Sequence, residues 1–474
     1  MSDSKIIFDL SELLNYLNVH RCYSGIQRAV VMILKEFQKI KNQQVWICCV
    51  KVADRPDQQQ YIAFDLTKSN FQHWESPDLT YNFFSELGIL GAGGLIFKYR
   101  QNKIKYYFHR TRLDIAAYFK NHRLFNQRGV TIEQWWQFRN SNKLKNNFFQ
   151  LEEIITANDQ LVLIDATWRA ENVKMYHKIK LKNVKIITMV YDLIPINSPQ
   201  FVLSFEITTN FYKWLIQSTE YTNIYLVDSE STKKELREFL NKNSIKKEII
   251  TLPLVQVGIS TYNKTNTEGS IGDKDFAVPE PLRKISGLDA IYKNVLSYEY
   301  ILCVGTIEIR KNTWRLVLAW KYLLEKGYYD LPRLVLLGRK GWNNDNLWNL
   351  LNSTANLYGY VSVLENAKDE ELDILYKNCL FVAMVSVSEG WGLPVGEALG
   401  YGKTAVVADG TSLPEVGMNL VEYCDPFSIE SIASSIEKLV YQPDYRKSLE
   451  NKIKHTQLRN WEDVANDLAT LLKS

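Results

Sequence analysis

Short apolar runs separated by helical patterns set the rhythm of this chain. Residues 5–10, 45–52, 161–165, 184–190, 224–228 and 249–252 each read as a strand, and a second series follows at 300–306, 334–338, 361–364, 380–385 and 404–408. Between the runs, apolar positions recur at helical spacing, as in Ile26, Val30, Ile33, Leu34 and Phe37, or Leu316, Ala319, Trp320 and Leu323. The runs are apolar without alternating, so both faces of each strand need cover. Strand and helix in turn predict parallel sheets with helices on both sides, an α/β, doubly wound architecture.

The rhythm lapses twice. Around residues 263–297, Asn, Thr, Gly, Ser and Pro replace the apolar runs, which predicts a linker between a first domain over 1–262 and a second over 298–450. At about 55–150 an insertion interrupts the first domain. It carries Gln58-Gln-Gln60, a glycine-rich stretch over 88–94, and then aromatic residues mixed with lysine and arginine. The glycines lack G-x-G-x-x-G spacing, because Ile96 stands where the third would fall, so a dinucleotide site there is disfavoured.

Length agrees with two cores rather than one, since 474 residues exceed what a single core usually supports. A hydrophobic content of 46% with 23% charged residues is that of a globular chain. No window approaches the ~18 apolar residues of a membrane span, and Asp3, Asp9 and Glu12 mark an N-terminal stretch with no signal-like apolar core. The expectation is a cytoplasmic protein. Its six cysteines include no C-x-x-C pair and read as thiols in a reducing compartment. The net charge of +4 hides an asymmetry: residues 97–150 hold 12 Lys or Arg against Asp114 and Glu133, so the rest of the chain is acidic. Such a basic, aromatic stretch suits an anionic membrane surface, an anionic glycan or a single-stranded nucleic acid, and equally a solvated helical face.

The chemistry gathers at the predicted strand ends, where α/β folds bind ligands. Ser386-Val-Ser-Glu389-Gly-Trp-Gly-Leu-Pro394-Val-Gly-Glu397 reads as strand, glycine loop, helix. Gly390 and Gly392 permit a tight bend and a close approach of backbone to ligand, and Pro394 loses no hydrogen bond if it opens the helix. N–H groups there favour an anion, while Glu389 and Glu397 can accept hydrogen bonds from hydroxyls. Arg310-Lys311 follows another strand and leads into a helix, a placement suited to a diphosphate. In the first domain, Gly25 could admit a substrate with Arg28 in the following helical turn, and Asp165, Tyr191-Asp192 and Asp228-Ser-Glu230 end strands. Ser229 or Ser231 could equally cap a helix, with Ser231 preferred. Asp273-Lys-Asp275 matches a metal-binding D-x-D only superficially, lies in the linker, and no metal is assigned.

Five ordered segments over 300–470 resemble glycosyltransferase family 4: Val304-Gly-Thr-Ile-Glu-Ile-Arg310-Lys-Asn312, Leu337-Gly-Arg-Lys-Gly-Trp342, Gly359-Tyr-Val361, the loop from Glu389 to Glu397, and Ser412-Leu-Pro-Glu415-Val, with Trp461-Glu-Asp-Val-Ala465 extending the likeness. Over the first domain it rests on Gly25-Ile-Gln-Arg28, Val190-Tyr-Asp-Leu-Ile-Pro195 and Asp228-Ser-Glu230.

The resemblance implies a GT-B fold, with two facing Rossmann-like domains, the donor on the second, the acceptor on the first, and residues 451–474 forming a helix that crosses back. It implies retaining transfer without a bound metal or other cofactor. Arg310 and Lys311 would then neutralise the diphosphate, Glu389 would hold the donor sugar, and Glu397 the ribose. Gly305, Thr306, Gly338, Gly390, Trp391, Gly392, Leu393 and Glu415 would complete the donor site, Gly25 and Arg28 would face the acceptor, and Tyr191 and Asp192 would join the catalytic group. Many relatives carry His-Asp where this chain has Tyr191-Asp192. A phenol of ordinary pKa near 10 is a poor proton shuttle, so a front-face reaction is preferred, in which the leaving phosphate takes the acceptor's proton.

The implied substrates are a GDP-, dTDP- or UDP-linked hexose or deoxyhexose, with Arg339-Lys-Gly-Trp342 favouring mannose or a deoxyhexose, and a saccharide or lipid-linked acceptor, as in bacterial mannosyltransferases of O-antigen or capsule synthesis. Nucleic acid is not expected, and an anionic inner-leaflet surface could meet residues 97–150. A nucleotide-sugar epimerase, a phosphorylase of the same plan, or a decayed glycan-binding protein are the alternatives.

Overall fold

In the computed structural model, residues 4–473 are described except 42, 52–59, 70, 93, 98, 100–101, 127–129, 141–147, 170–171 and 258–287. Two sheets form. The first contains β1 (Lys5–Asp9), β2 (Gln44–Lys51), β3 (Gln60–Asp65), β4 (Phe149–Gln150), β5 (Gln160–Leu163), β6 (Lys185–Val190), β7 (Ile224–Val227) and β8 (Glu248–Thr251), in the order β4-β3-β2-β1-β5-β6-β7-β8. The second contains β9 (Tyr300–Val304), β10 (Arg333–Leu337), β11 (Val361–Leu364), β12 (Val382–Met384), β13 (Ala405–Ala408) and β14 (Glu422–Cys424), in the order β11-β10-β9-β12-β13-β14. Every pairing is parallel except β2 with β3 and β3 with β4. In both sheets the order reverses beside the first strand, and that switch point opens a crevice at the strands' C-terminal ends.

The apolar runs are buried as their composition requires. Ile7, Phe8, Leu161, Val162 and Leu163 are inaccessible in the first sheet, as are Leu302, Leu334, Val335 and Leu336 in the second. Three local readings need correction. Residues 60–65, placed in the insertion, join the sheet as antiparallel β3, because Ile62, Ala63 and Phe64 bury beside β2. The described end of the predicted linker is not linker in character: Ala290–Leu296 is a helix fixed by buried Tyr292 and Val295, while residues 258–287, with Asp273 and Asp275, lie outside the described residues. The helix Glu230–Lys242 is capped by Ser229, whose hydroxyl accepts from Thr232 N at 3.0 Å, and not by Ser231.

Beyond β3 the chain builds a small helical body with its own core of Ile96, Tyr106, Leu113, Phe125 and Trp135. The helix Trp461–Lys473 packs on Gly25–Phe37 of the first domain, where Gln160 Nε2 donates to Leu472 O at 2.5 Å. No helix of the described residues is long and apolar enough to cross a membrane.

Candidate functional site

A cleft of about 460 Å³ opens between the strand ends of the two sheets, and a neighbouring lobe of about 500 Å³ continues it past Gly338 and Arg339. From the second domain the cleft is lined by Gly305, Thr306, Arg310, Lys311, Glu389, Gly390, Trp391, Gly392, Leu393 and Glu397, and from the first by Gly25, Arg28, Tyr191 and Asp192. Of the residues given a donor, acceptor or catalytic role from the sequence, Gly338 and Glu415 do not line this cleft, and Gly338 lines its second lobe.

The centre of the site is Glu389. Arg310 Nη1 meets one of its carboxylate oxygens at 2.6 Å and Lys311 Nζ the other at 2.6 Å. Burial pushes this carboxyl up, but the two cations outweigh it and hold it down to about 2. Arg310 is clamped further, with Nε and Nη2 on Glu308 at 3.1 and 2.7 Å and Nη1 on Ser388 O at 2.7 Å. The groups read from sequence as separate, cations for diphosphate and carboxylate for sugar, form one ion cluster. Arg310 therefore also builds the loop, since its own carbonyl accepts from Val387 N at 2.9 Å.

The loop is fastened from below. Ser412 Oγ lies 3.0 Å from both Glu389 O and Trp391 O, and Glu389 N donates to Thr411 Oγ1 at 3.2 Å. Gly392 sits at φ +108°, where side chains are strained, and opens the helix Leu393–Gly400 with Pro394 in its first turn. Gly390 is required by proximity: a Cβ there would stand 2.1 Å from Tyr191 O in the facing domain. Gly338 has a similar reason, because a Cβ would stand 1.9 Å from Gly305 O. Its role is to let two strand ends meet.

Several side chains make contacts that the sequence did not announce. Arg28, assigned to the acceptor side, crosses the cleft to Glu397 at 3.1 Å and Asp369 at 3.4 Å. Glu397, assigned to ribose, also accepts from Tyr376 OH at 2.7 Å. Glu415, assigned to the donor, instead accepts from Glu230 N at 2.8 Å and Ser231 N at 2.9 Å, capping a first-domain helix from the second domain. The Tyr191 hydroxyl donates to Ile164 O at 2.6 Å, and burial raises its pKa well above the ordinary value. Its proton is committed to the backbone. The Trp391 indole N–H likewise spans to Val255 O at 2.9 Å.

Sequence reasoning passed over Glu308, Tyr23, Ser24 and Leu254, all in the cleft wall. Asp228, read from the sequence as a strand-end residue, follows β7 as Asp165 follows β5 and Asp192 follows β6, and it lines the cleft. Burial and then the neighbouring Asp192 raise its carboxyl well above the ordinary range. Asp192 is raised by burial and opposed by Arg310.

Two facing doubly wound domains with a cationic, carboxylate-bearing cleft between their strand ends constitute the GT-B fold. Residues 289–456, which take in the second sheet, match the family model described as Glycosyl transferases group 1. Among curated proteins, the chain is 32% identical over 161 residues to O-antigen chain mannosyltransferase B of Escherichia coli, covering 34% of this chain and 42% of that protein. It is 24% identical over 249 residues to the serotype-specific mannosyltransferase WbdA of Escherichia coli, covering 52% of this chain and 29% of that protein. The chain thus spans less than half the length of these relatives. Among solved structures, Anabaena Alr3699/HepE in complex with UDP and glucose superposes with a TM-score of 0.54 at 12% identity over 99% of each chain.

Proposed function

We propose that the chain is a retaining glycosyltransferase that moves a hexose, mannose-like by preference, from a nucleoside diphosphate sugar to a saccharide or lipid-linked acceptor during surface polysaccharide synthesis on the cytoplasmic side of the membrane. The observation that carries this reading is the Glu389 cluster: a buried carboxylate 2.6 Å from each of two cations, beneath a glycine loop, in the cleft between the domains. The mannose preference draws support from the two curated relatives, both named mannosyltransferases.

In this reading an arriving diphosphate takes Lys311 first, since Arg310 is held on three sides by Glu308, Ser388 and Glu389. Glu389 then turns its freed oxygen to the hydroxyls of the sugar. Glu397 takes the ribose when Arg28 leaves it. The bond from the anomeric carbon to the diphosphate oxygen breaks, the acceptor oxygen bonds to that carbon from the same face, and its proton passes to the departing phosphate. Tyr191 shapes the cleft without moving a proton, because its own is held by Ile164 O. The charge on the diphosphate is met by side chains, and no metal or other cofactor is invoked.

The test is a thermal-shift screen against UDP, GDP, dTDP and ADP sugars, followed by transfer and donor-hydrolysis assays on the stabilising donor. Wild type should turn over that donor, and Glu389→Ala should not. Indistinguishable rates from the two proteins would remove the reading.

A further inference from the structure

The helix Lys103–Tyr118 in the first-domain insertion is apolar on two opposite faces. Tyr106, Leu113 and Ala117 point inward to the insertion's core. At about 100° per residue, Ile104, Tyr107, Phe108, Ile115, Tyr118 and the C-cap Phe119 fall in one outward sector about 120° wide. That sector is open to solvent: Ile104 is 83% exposed, Tyr118 76% and Phe119 75%. Lys103 and Lys105 at the start of the helix, Arg112 in its middle, and Lys120 and Arg123 just beyond it are exposed beside the sector. Asp114, the helix's one acidic residue, lies at the edge of the sector with its carboxylate engaged, accepting from Trp135 Nε1 and Arg139 Nε at 3.0 Å each.

An outward apolar stripe bordered by long cationic side chains is the pattern of a helix lying in a membrane interface, where the rings enter the headgroup region and the cations meet lipid phosphates. A second copy of this chain fits less well. Pairing the stripe with itself would bring two rows of lysine and arginine together, whereas an anionic bilayer complements both features at once. We infer that Lys103–Tyr118 is a membrane-docking helix that binds anionic lipid surfaces.

The docking itself requires no assumption about the donor or the reaction.

The experiment is flotation of the full chain with phosphatidylcholine vesicles, with and without phosphatidylglycerol, at low and at physiological salt. The wild type should float with the anionic vesicles and stay behind with the neutral ones. Lys105→Glu/Arg112→Glu should cut the bound fraction about tenfold or more, and Phe108→Ser/Ile115→Ser should cut it at both salts. All these positions are exposed, so the variants should melt with the wild type. Equal recovery on neutral and anionic vesicles, or none on either, would overturn the inference. So would a wild-type dimer that Phe108→Ser/Ile115→Ser converts to a monomer, because a second copy would then be what covers the face.

Discussion

Arg28 Nη1 and Glu397 Oε1 lie 3.1 Å apart although 369 positions separate them in the chain, and the pair joins the two domains across the cleft. Both side chains are largely buried. Removing one partner takes from the other its nearest counter-ion, leaving Arg28 only the exposed Asp369 or Glu397 only the Tyr376 hydroxyl, at a cost of about 3 kcal/mol. Arg28→Met and Glu397→Gln should each lower the melting temperature, and the double variant should lie above the worse single one, since it leaves no stranded charge. Calorimetric melts of the four proteins close this cycle.

Glu389 neutralises Arg310 and Lys311. Glu389→Gln should therefore lower transfer by about 10²–10³-fold while leaving nucleoside diphosphate affinity intact or tighter, because the cations lose their internal competitor. Titration calorimetry with the diphosphate, set beside transfer rates, separates the two effects. Loss of both together would mean that the loop had collapsed.

Gly390 faces Tyr191 O so closely that any Cβ needs the domains to part. The Gly390→Ala variant should keep the helical signal and melting of each domain but lose most of its transfer rate. Small-angle scattering should show a wider molecule. A variant with unchanged scattering and activity would contradict the contact.

Acidity should act in two separate ranges. Burial holds the Asp165 carboxyl up to about 7, with the N–H of Ala166 opposing. The unfolded chain releases that proton near 3.9, so the folded state binds more protons in between, and stability falls as pH rises from about 4 to 7. Asp192 and Asp228, also raised, add in the same direction. Glu389, depressed to about 2, contributes stability that is present above about 4.3 and lost as pH falls towards 2. Between pH 5 and 7.5 the wild type should thus lose melting temperature, and Asp165→Asn should lose less. Parallel profiles would show that Asp165 is not the source.

The sheets were legible because buried parallel strands write themselves as uninterrupted apolar runs, as at 161–165 and 334–338. β3 was harder to see, for Gln60–Asp65 follows Gln58 and Gln59 and pairs antiparallel at the side of the sheet. In the site, residue types predicted location: charged or glycine residues ending apolar runs fell into the cleft. What they touch was not legible. Nothing local to Arg28, Glu397 or Glu415 says that each reaches the other domain, because such contacts depend on how two separately built bodies face one another. Tyr191 illustrates the same limit, since its hydroxyl is claimed by a carbonyl 27 positions earlier.

The helix Trp461–Lys473 lays Trp461, Val464, Leu468 and Leu472 inside a core that it shares with Gly25–Phe37. During synthesis, that first-domain surface leaves the ribosome long before its cover does. About 200 residues separate the end of the first sheet from the covering helix, a delay on the order of ten to forty seconds at ordinary elongation rates. For that interval the nascent chain displays an apolar groove with nothing in it. The protein therefore has its greatest need of a chaperone while half made, and a deletion beginning at residue 457 would make that interval permanent.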